Sequence, residues 1–559
     1  MEHGRLLPRG HLVDDQDGDG GDSYDYGGTD CDDADANVYV GADEFCNAQD
    51  DDCDGEEDED DALDAPTWYR DLDVDGYGDP SATLVSCDPS GYVADATDCD
   101  DTDASVNPGA EDVPDDGIDQ DCDGTDLACD VELHITGETS DGLGVAVAGV
   151  GDVNDDGFDD ALYGAQNVGG TGGAFLVLGG VCPQAMSTLA ADATFTGEAI
   201  DDAAGVSVAA AGDVNRDGYA DMLIGAFAND NGGSRAGAAY LLYGGATVGS
   251  RGLADADVVL TGEAANDAVG IAVAGAGDFD GDGSEDLVIG GYNTGGTGAA
   301  YIVLGSGLAS GSLADAAGKY TGEVADDLAG YAVAGAGDYD GDGIDDVLVG
   351  AYGNDDIAER SGVAYLLLGG APTTMSLGSA DARWTGETEQ DLAGASLAGG
   401  DATGDGYPDA IIGADGDRDG ADSAGIVYLV LGGPSPSSGS LSAAEANFTG
   451  EAASDGAGYS VSTADVDGDG IADLFIGALQ NTDGSTYSGA AYLLFSPVPS
   501  GTTSLSAADH KFVGTFGDDA GGAVSGAGDI DADGFDDLLV GASGEGLGGG
   551  AYLLLGRGI

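Results

Sequence analysis

Seven times along the chain, carboxylates alternate with small residues in the pattern Gly-Asp-x-Asp/Asn-x-Asp-Gly-x-x-Asp, with a threonine at one acidic position and Ala464 for one leading glycine. In the copy Asp278-Phe-Asp-Gly-Asp-Gly-Ser-Glu-Asp286, the alternate side chains Asp278, Asp280 and Asp282 can converge on one ion. Gly283 permits the sharp turn, the Ser284 carbonyl can add a ligand, and Asp286 closes the cage. Such a set supplies the roughly six to eight hard oxygens that calcium takes. Equivalent ligands are Asp152, Asn154, Asp156 and Asp160; Asp213, Asn215, Asp217 and Asp221; and Asp338, Asp340, Asp342 and Asp346. Three further sets are Asp401, Thr403, Asp405 and Asp409; Asp465, Asp467, Asp469 and Asp473; and Asp529, Asp531, Asp533 and Asp537. Asn154 and Asn215 lower site charge but keep an oxygen, and Thr403 makes the fifth site the weakest expected. An acidic turn can also merely solubilise a hairpin, but seven copies of one alternation favour calcium.

Charge points the same way. With 108 acidic and 12 basic residues the net charge is −96, which repels nucleic acid and anionic membrane surfaces. Compaction then needs cations. The eight cysteines include no Cys-x-x-Cys, and the four histidines do not cluster, so disulfides are expected rather than zinc. No apolar run reaches the ~20 residues of a membrane span. Residues Met1 to Gly10 lack the apolar core of a signal peptide, so for a secreted chain either the true start lies upstream or the sequence begins inside the mature chain.

These residues must be positioned by something that repeats. The marker begins at Asp152, Asp213, Asp278, Asp338, Asp401, Asp465 and Asp529, at intervals of 60 to 65 residues. That is the signature of a repeat architecture. In the third copy four short strands are expected at Gly270–Gly277, Leu287–Gly291, Ala300–Gly305 and Tyr320–Glu323. Four strands repeated radially describe a propeller blade, with the Ala/Gly-rich strand innermost. The expected fold is all-β, a seven-bladed propeller of four-stranded blades over residues 131–559. Leu133–Glu138 reads as a fourth strand without a blade, and Ala551–Gly556 as a third strand lacking its fourth. The N-terminal strand should therefore close the last blade.

Residues 1–130 differ: Thr29–Asp35 and Thr97–Asp103 repeat one Cys/Asp unit, each followed by Asp-x-Asp-Cys-Asp-Gly, at Asp50–Gly55 and Asp119–Gly124. Asp71, Asp73, Asp75 and Asp79, like Asp15–Asp22, lie in stretches that resemble thrombospondin type 3 calcium loops. The unit is similar to metal-binding repeats of bacterial surface proteins, so an irregular segment stabilised by calcium and disulfides is expected. Cys129 and Cys182 both sit at the entry to a fourth strand of adjacent blades and are expected to pair. The other six cysteines should pair among themselves, in one of fifteen ways.

Gly212–Ala226 resembles the FG-GAP repeat of integrin α-chain propellers, and the resemblance spans residues 131–559. It implies calcium in the loops joining strands one and two, and partner recognition on the opposite face. The loops joining strands two and three carry Arg235, Arg360 and Arg418, in a chain poor in basic residues. No phosphate loop, nucleophile elbow or histidine cluster supports catalysis. The reading is a secreted or cell-surface calcium-binding protein that mediates adhesion to an extracellular protein. A calcium-dependent lectin binding glycan, or a passive surface-layer component, are the alternatives.

Overall fold

A computed structural model describes residues 16–18, 28–32, 34–110, 118–124, 132–183, 186–417, 423–515, 517–556 and 559. The chain divides into two compact units, Met1–Cys129 and Asp130–Ile559.

The first unit has little apolar material to bury. Val38, Ala62 and Val106 are its buried aliphatic side chains among the described residues. Its one named sheet places Thr67–Arg70 between Asp79–Val85 and Tyr92–Val93, all antiparallel. Cross-links take over where a core cannot. Cys31–Cys53, Cys46–Cys87 and Cys99–Cys122 close loops of 22, 41 and 23 residues. Each such closure stabilises by about 3–4 kcal/mol, mainly by restricting the unfolded chain. These six cysteines pair among themselves, as expected. Cys182 is disulfide-bonded, and Cys129 lies outside the described residues.

Among the described residues of the second unit, seven sheets share one topology. The third repeat shows it: Val269–Gly277, Asp286–Gly291, Ala299–Val303 and Gly318–Thr321 run antiparallel in order. The second strand, Asp-Leu-Val-Ile-Gly-Gly, is buried along its whole length. A continuous apolar run suits a strand covered on both faces, whereas alternation would suit one wet face. The fourth strand ends at Thr321 rather than Glu323, because the following Gly-Glu begins a turn.

The sheets are wider than the four strands expected. Six gain a short fifth strand, donated in parallel by the next repeat, such as Thr374–Ser376 against Gly318–Thr321. A single 3₁₀ turn follows it and in five of the six drives a leucine inward, with Thr188 taking that place after Met186–Ser187; Leu377 is fully buried. Ser376 caps that turn, its hydroxyl accepting from the Gly378 N–H.

The last sheet is completed from the other end of the unit. Glu132–Thr136 pairs antiparallel with Gly550–Leu554. His134 Nε2 lies 2.7 Å from Glu545 Oε2, and its ring stacks on Tyr552. Hydrophobic cores lie between consecutive sheets. Leu133, Ile135, Leu539 and Leu553 of the last sheet pack in one cluster with Leu143, Val147 and Tyr163 of the first.

Candidate cation sites

Each repeated acidic loop joins the first strand of a sheet to the second, as in Val269–Gly277 and Asp286–Gly291. The opening aspartate folds the loop around its own carboxylate. Gly283 N–H donates to Asp278 Oδ2 at 2.8 Å, and Gly343, Gly406 and Gly470 donate likewise to Asp338, Asp401 and Asp465. The glycine at that position has positive φ, 83° at Gly283, which a side chain would oppose. The other oxygen, Oδ1 of Asp278, Asp338 and Asp465, is buried without a hydrogen bond. A buried carboxylate oxygen left so carries a desolvation cost that a cation would relieve. The donors are all oxygens, so a hard dication fits these loops. In the fifth loop Thr403 contributes a buried hydroxyl in place of a carboxylate.

The last aspartate of each loop has a second task that spacing did not reveal. Asp160 Oδ2 accepts from Val153 N at 2.9 Å, and its Oδ1 accepts from Gly179 N at 2.8 Å, just after the third strand. Asp221, Asp346, Asp409, Asp473 and Asp537 pin their loops to the third-strand exit in the same way. Asp286 does so through Asp280 N and Gly305 N. All seven are essentially unexposed. Burial pushes their pKa values up despite the backbone donors, to about 7 for Asp160 and Asp346 and about 8 for Asp537.

Neighbouring loops are tied together by the acid just before that pin. Asp345 Oδ2 accepts from Asp278 N, Asp536 Oδ2 from Asp465 N, and Asp159 Oδ2 from Asp529 N, at 2.9 to 3.0 Å. The last of these spans the first and seventh loops.

On the opposite end of the strands a second buried acid recurs, which the sequence reading passed over. Asp202, Asp327, Asp391 and Asp455 each follow a Thr-Gly-Glu and accept backbone N–H groups of their own turn. Asn229 and Asn354 reach across from the adjoining loop to Asp202 and Asp327. These are structural latches. The signal was present, as a conserved offset from Thr-Gly-Glu within the chain, but its acids were hidden among so many others.

The same end carries the arginines. Arg235 lies over the Phe227 ring at 5.2 Å and Arg360 over Tyr352 at 5.3 Å. Tyr352 meets Tyr331 edge-on with ring centres 4.5 Å apart, and Tyr292 stands 6.2 Å from Tyr331. Asp415 faces Tyr331, Tyr352 and Tyr459, and burial pushes its carboxyl up to about 6. Arg418 lies outside the described residues.

In the first unit, acidic ligand atoms within 4.8 Å of one another come from Asp71, Asp73 and Asp101; Asp73, Asp75 and Asp98; and Asp119, Asp121 and Asp123. Further sets join Glu44, Asp50 and Asp52, and Asp52, Asp54 and Glu59. Asp79, which the resemblance to thrombospondin type 3 loops grouped with Asp71, Asp73 and Asp75, has partners of its own. Its Oδ1 accepts from the Ser81 N–H and hydroxyl, and Arg70 lies 3.6 Å from its Oδ2.

The FG-GAP repeat model matches residues 204–242, 329–367 and 457–494. The Cu-binding MopE model, described as "Putative metal-binding motif", matches residues 30–59 and 98–126. Integrin alpha-PS2 of Drosophila melanogaster is 37% identical over 172 residues, covering 28% of this chain. That match takes in 11% of the integrin, so the chain spans only a small part of its relative. No helix among the described residues is long and apolar enough to cross a membrane. The chain thus carries three segments similar to the FG-GAP repeat and, ahead of them, two segments similar to the metal-binding motif.

Proposed function

We propose that residues 131–559 form a calcium-loaded, seven-bladed β-propeller that binds a protein partner outside the cell or at its surface. Sevenfold recurrence of one sheet, and completion of the last sheet by Glu132–Thr136, support the propeller reading. Oxygen-only loops with buried unbonded carboxylate oxygens support calcium. FG-GAP repeats and an integrin relative suggest adhesion or protein binding, and disulfides suit an oxidising exterior.

One observation carries the choice of face. The strands run antiparallel, so the acidic loops lie at one end and the loops between second and third strands at the other. That other end presents Arg235 and Arg360 on aromatic rings, a mixed cationic and aromatic surface suited to protein contacts. The residues expected to bind the partner are Arg235, Arg360 and Arg418. The test is adhesion of the purified chain to cell monolayers and to immobilised extracellular-matrix proteins, in calcium and in chelator. Arg235→Glu with Arg360→Glu should abolish binding while the calcium loops stay filled. Binding retained both in chelator and in the double variant overturns the reading.

A further inference from the structure

The loop Asp71–Gly76, between the strands Thr67–Arg70 and Asp79–Val85, is inside out. Leu72 and Val74 are 56% and 81% exposed, while Asp71, Asp73 and Asp75 between them turn partly inward. An unliganded surface turn would arrange these types the other way round. What the acids turn toward is a fourth carboxylate, from a different part of the unit. Asp98 is 3% exposed, and its ligand atom lies within 4.8 Å of those of Asp73 and Asp75. Its Oδ1 accepts from Asp100 N, and its backbone N–H donates to the Gly78 carbonyl, so it is held there. Its Oδ2 is buried with no hydrogen bond, as are Asp75 Oδ2 and both oxygens of Asp73.

The nearby positive charge is committed elsewhere. Arg70 Nε donates to Asp101 Oδ2 at 2.7 Å, and the Leu72 N–H donates to Asp101 Oδ1 at 2.7 Å. Arg70 also approaches Asp79. Asp101 is thereby neutralised, whereas Asp73, Asp75 and Asp98 converge with no basic side chain paired to them among the described residues. Like charges at that separation are unfavourable unless an ion lies between them.

We propose that Asp73, Asp75 and Asp98, with Asp71 at the rim, hold one hard divalent cation of the calcium class. The site is composite: only Asp98 lies within the segment that the MopE model matches, and the other ligands come from the preceding loop. Its donors are carboxylate oxygens, and the adjacent Cys99 is in a disulfide with Cys122, so no thiolate is offered to copper. The ion would staple the small sheet to the cross-linked turn that follows. This stands apart from the partner-binding reading.

The test uses the full chain, stripped with chelator and titrated with calcium alone, with bound ions counted by equilibrium dialysis. Asp73→Asn and Asp98→Asn should each lose one calcium per chain, and Asp79→Asn should lose none. Trypsin supplies a readout independent of how well a variant folds: calcium should slow cleavage after Arg70 in the parent chain. Equal counts in the parent and both ligand variants overturn the proposal. So does a loss on Asp79→Asn alone, or tryptic cleavage of the parent at Arg70 that calcium does not slow.

Discussion

Gly290 and Gly330 meet so closely between consecutive sheets that a Cβ on Gly290 would lie 1.9 Å from the Gly330 carbonyl oxygen. The same relation links Gly164 to Gly205, Gly225 to Gly270, Gly350 to Gly394, Gly413 to Gly458 and Gly477 to Gly521, at 2.0 to 2.2 Å. It returns to the start with Gly541 and Gly144 at 2.1 Å. The second strand of each sheet thus touches the first strand of the next, or the residues just ahead of it at Gly330 and Gly394, through paired glycines. Gly290→Ala should therefore lower stability by about 1–3 kcal/mol, as overpacking does. Gly252→Ala is the control, since its φ is −75° and its nearest contact would be at 3.9 Å. Thermal midpoints in calcium read both; equal midpoints would refute the close-approach argument.

Chelation should lower the thermal midpoint strongly. Each site occupied at a thousand times its dissociation constant stabilises by about 4 kcal/mol. An unchanged midpoint in chelator would remove calcium from the account of stability.

Two aspartates of one loop should behave differently. Asp278→Asn keeps an acceptor for Gly283 N–H but loses charge, so it should reduce the calcium-dependent part of the midpoint only. Asp286→Asn should lower the midpoint with or without calcium, because an amide cannot accept both Asp280 N and Gly305 N. An unpaired buried donor costs about 1–3 kcal/mol. Identical behaviour of the two variants in chelator would show that the pin is not structural.

Arg235→Glu and Arg360→Glu each give up a cation–π contact worth about 0.5–1 kcal/mol at an exposed site. Their loss should move the midpoint slightly while partner binding fails. A large fall in stability would make these arginines braces rather than contacts.

Asp415 should give a pH signature. Its ordinary value of 3.8 is raised to about 6 in the folded chain. The groups facing it are Tyr331, Tyr352 and Tyr459, with Arg360 beside Tyr352. Because the folded state binds the proton more tightly, the charged form costs stability above pH 6, and that cost fades as pH falls toward 4. Asp415→Asn should stabilise at pH 8 by up to about 3 kcal/mol and do nothing at pH 4. Denaturant midpoints across that range check it; a pH-independent difference would contradict it.

The sevenfold loops and the closing strand were legible because each rests on local pattern: alternation of acids, and a fourth strand left without a sheet. The fifth strands were not, since two or three residues such as Gly311–Ser312 carry no periodicity of their own. The dual role of Asp286 was hidden because Gly305, its second donor, is remote in sequence and undistinguished in type. Asp98 could not be assigned to the 71–76 loop by spacing, as a turn and two strands separate them. Cysteine pairing was open for the same reason: Cys46 reaches past Cys53 to Cys87, which composition does not encode.

The pairing of Glu132–Thr136 with Gly550–Leu554 also sets a timetable. Every other four-stranded unit can assemble from residues that leave the ribosome within one repeat of each other. The last must wait until more than four hundred residues have been made, with its early strand held unpaired meanwhile. Contacts that distant are slow to form. An exposed strand edge during that wait is open to mispairing with other chains. A circular permutant of residues 131–559 that opens the chain within the 3₁₀ turn Leu377–Ser379 and joins Ile559 to Val131 would make that pair local and should refold faster, at the expense of the pairing it interrupts.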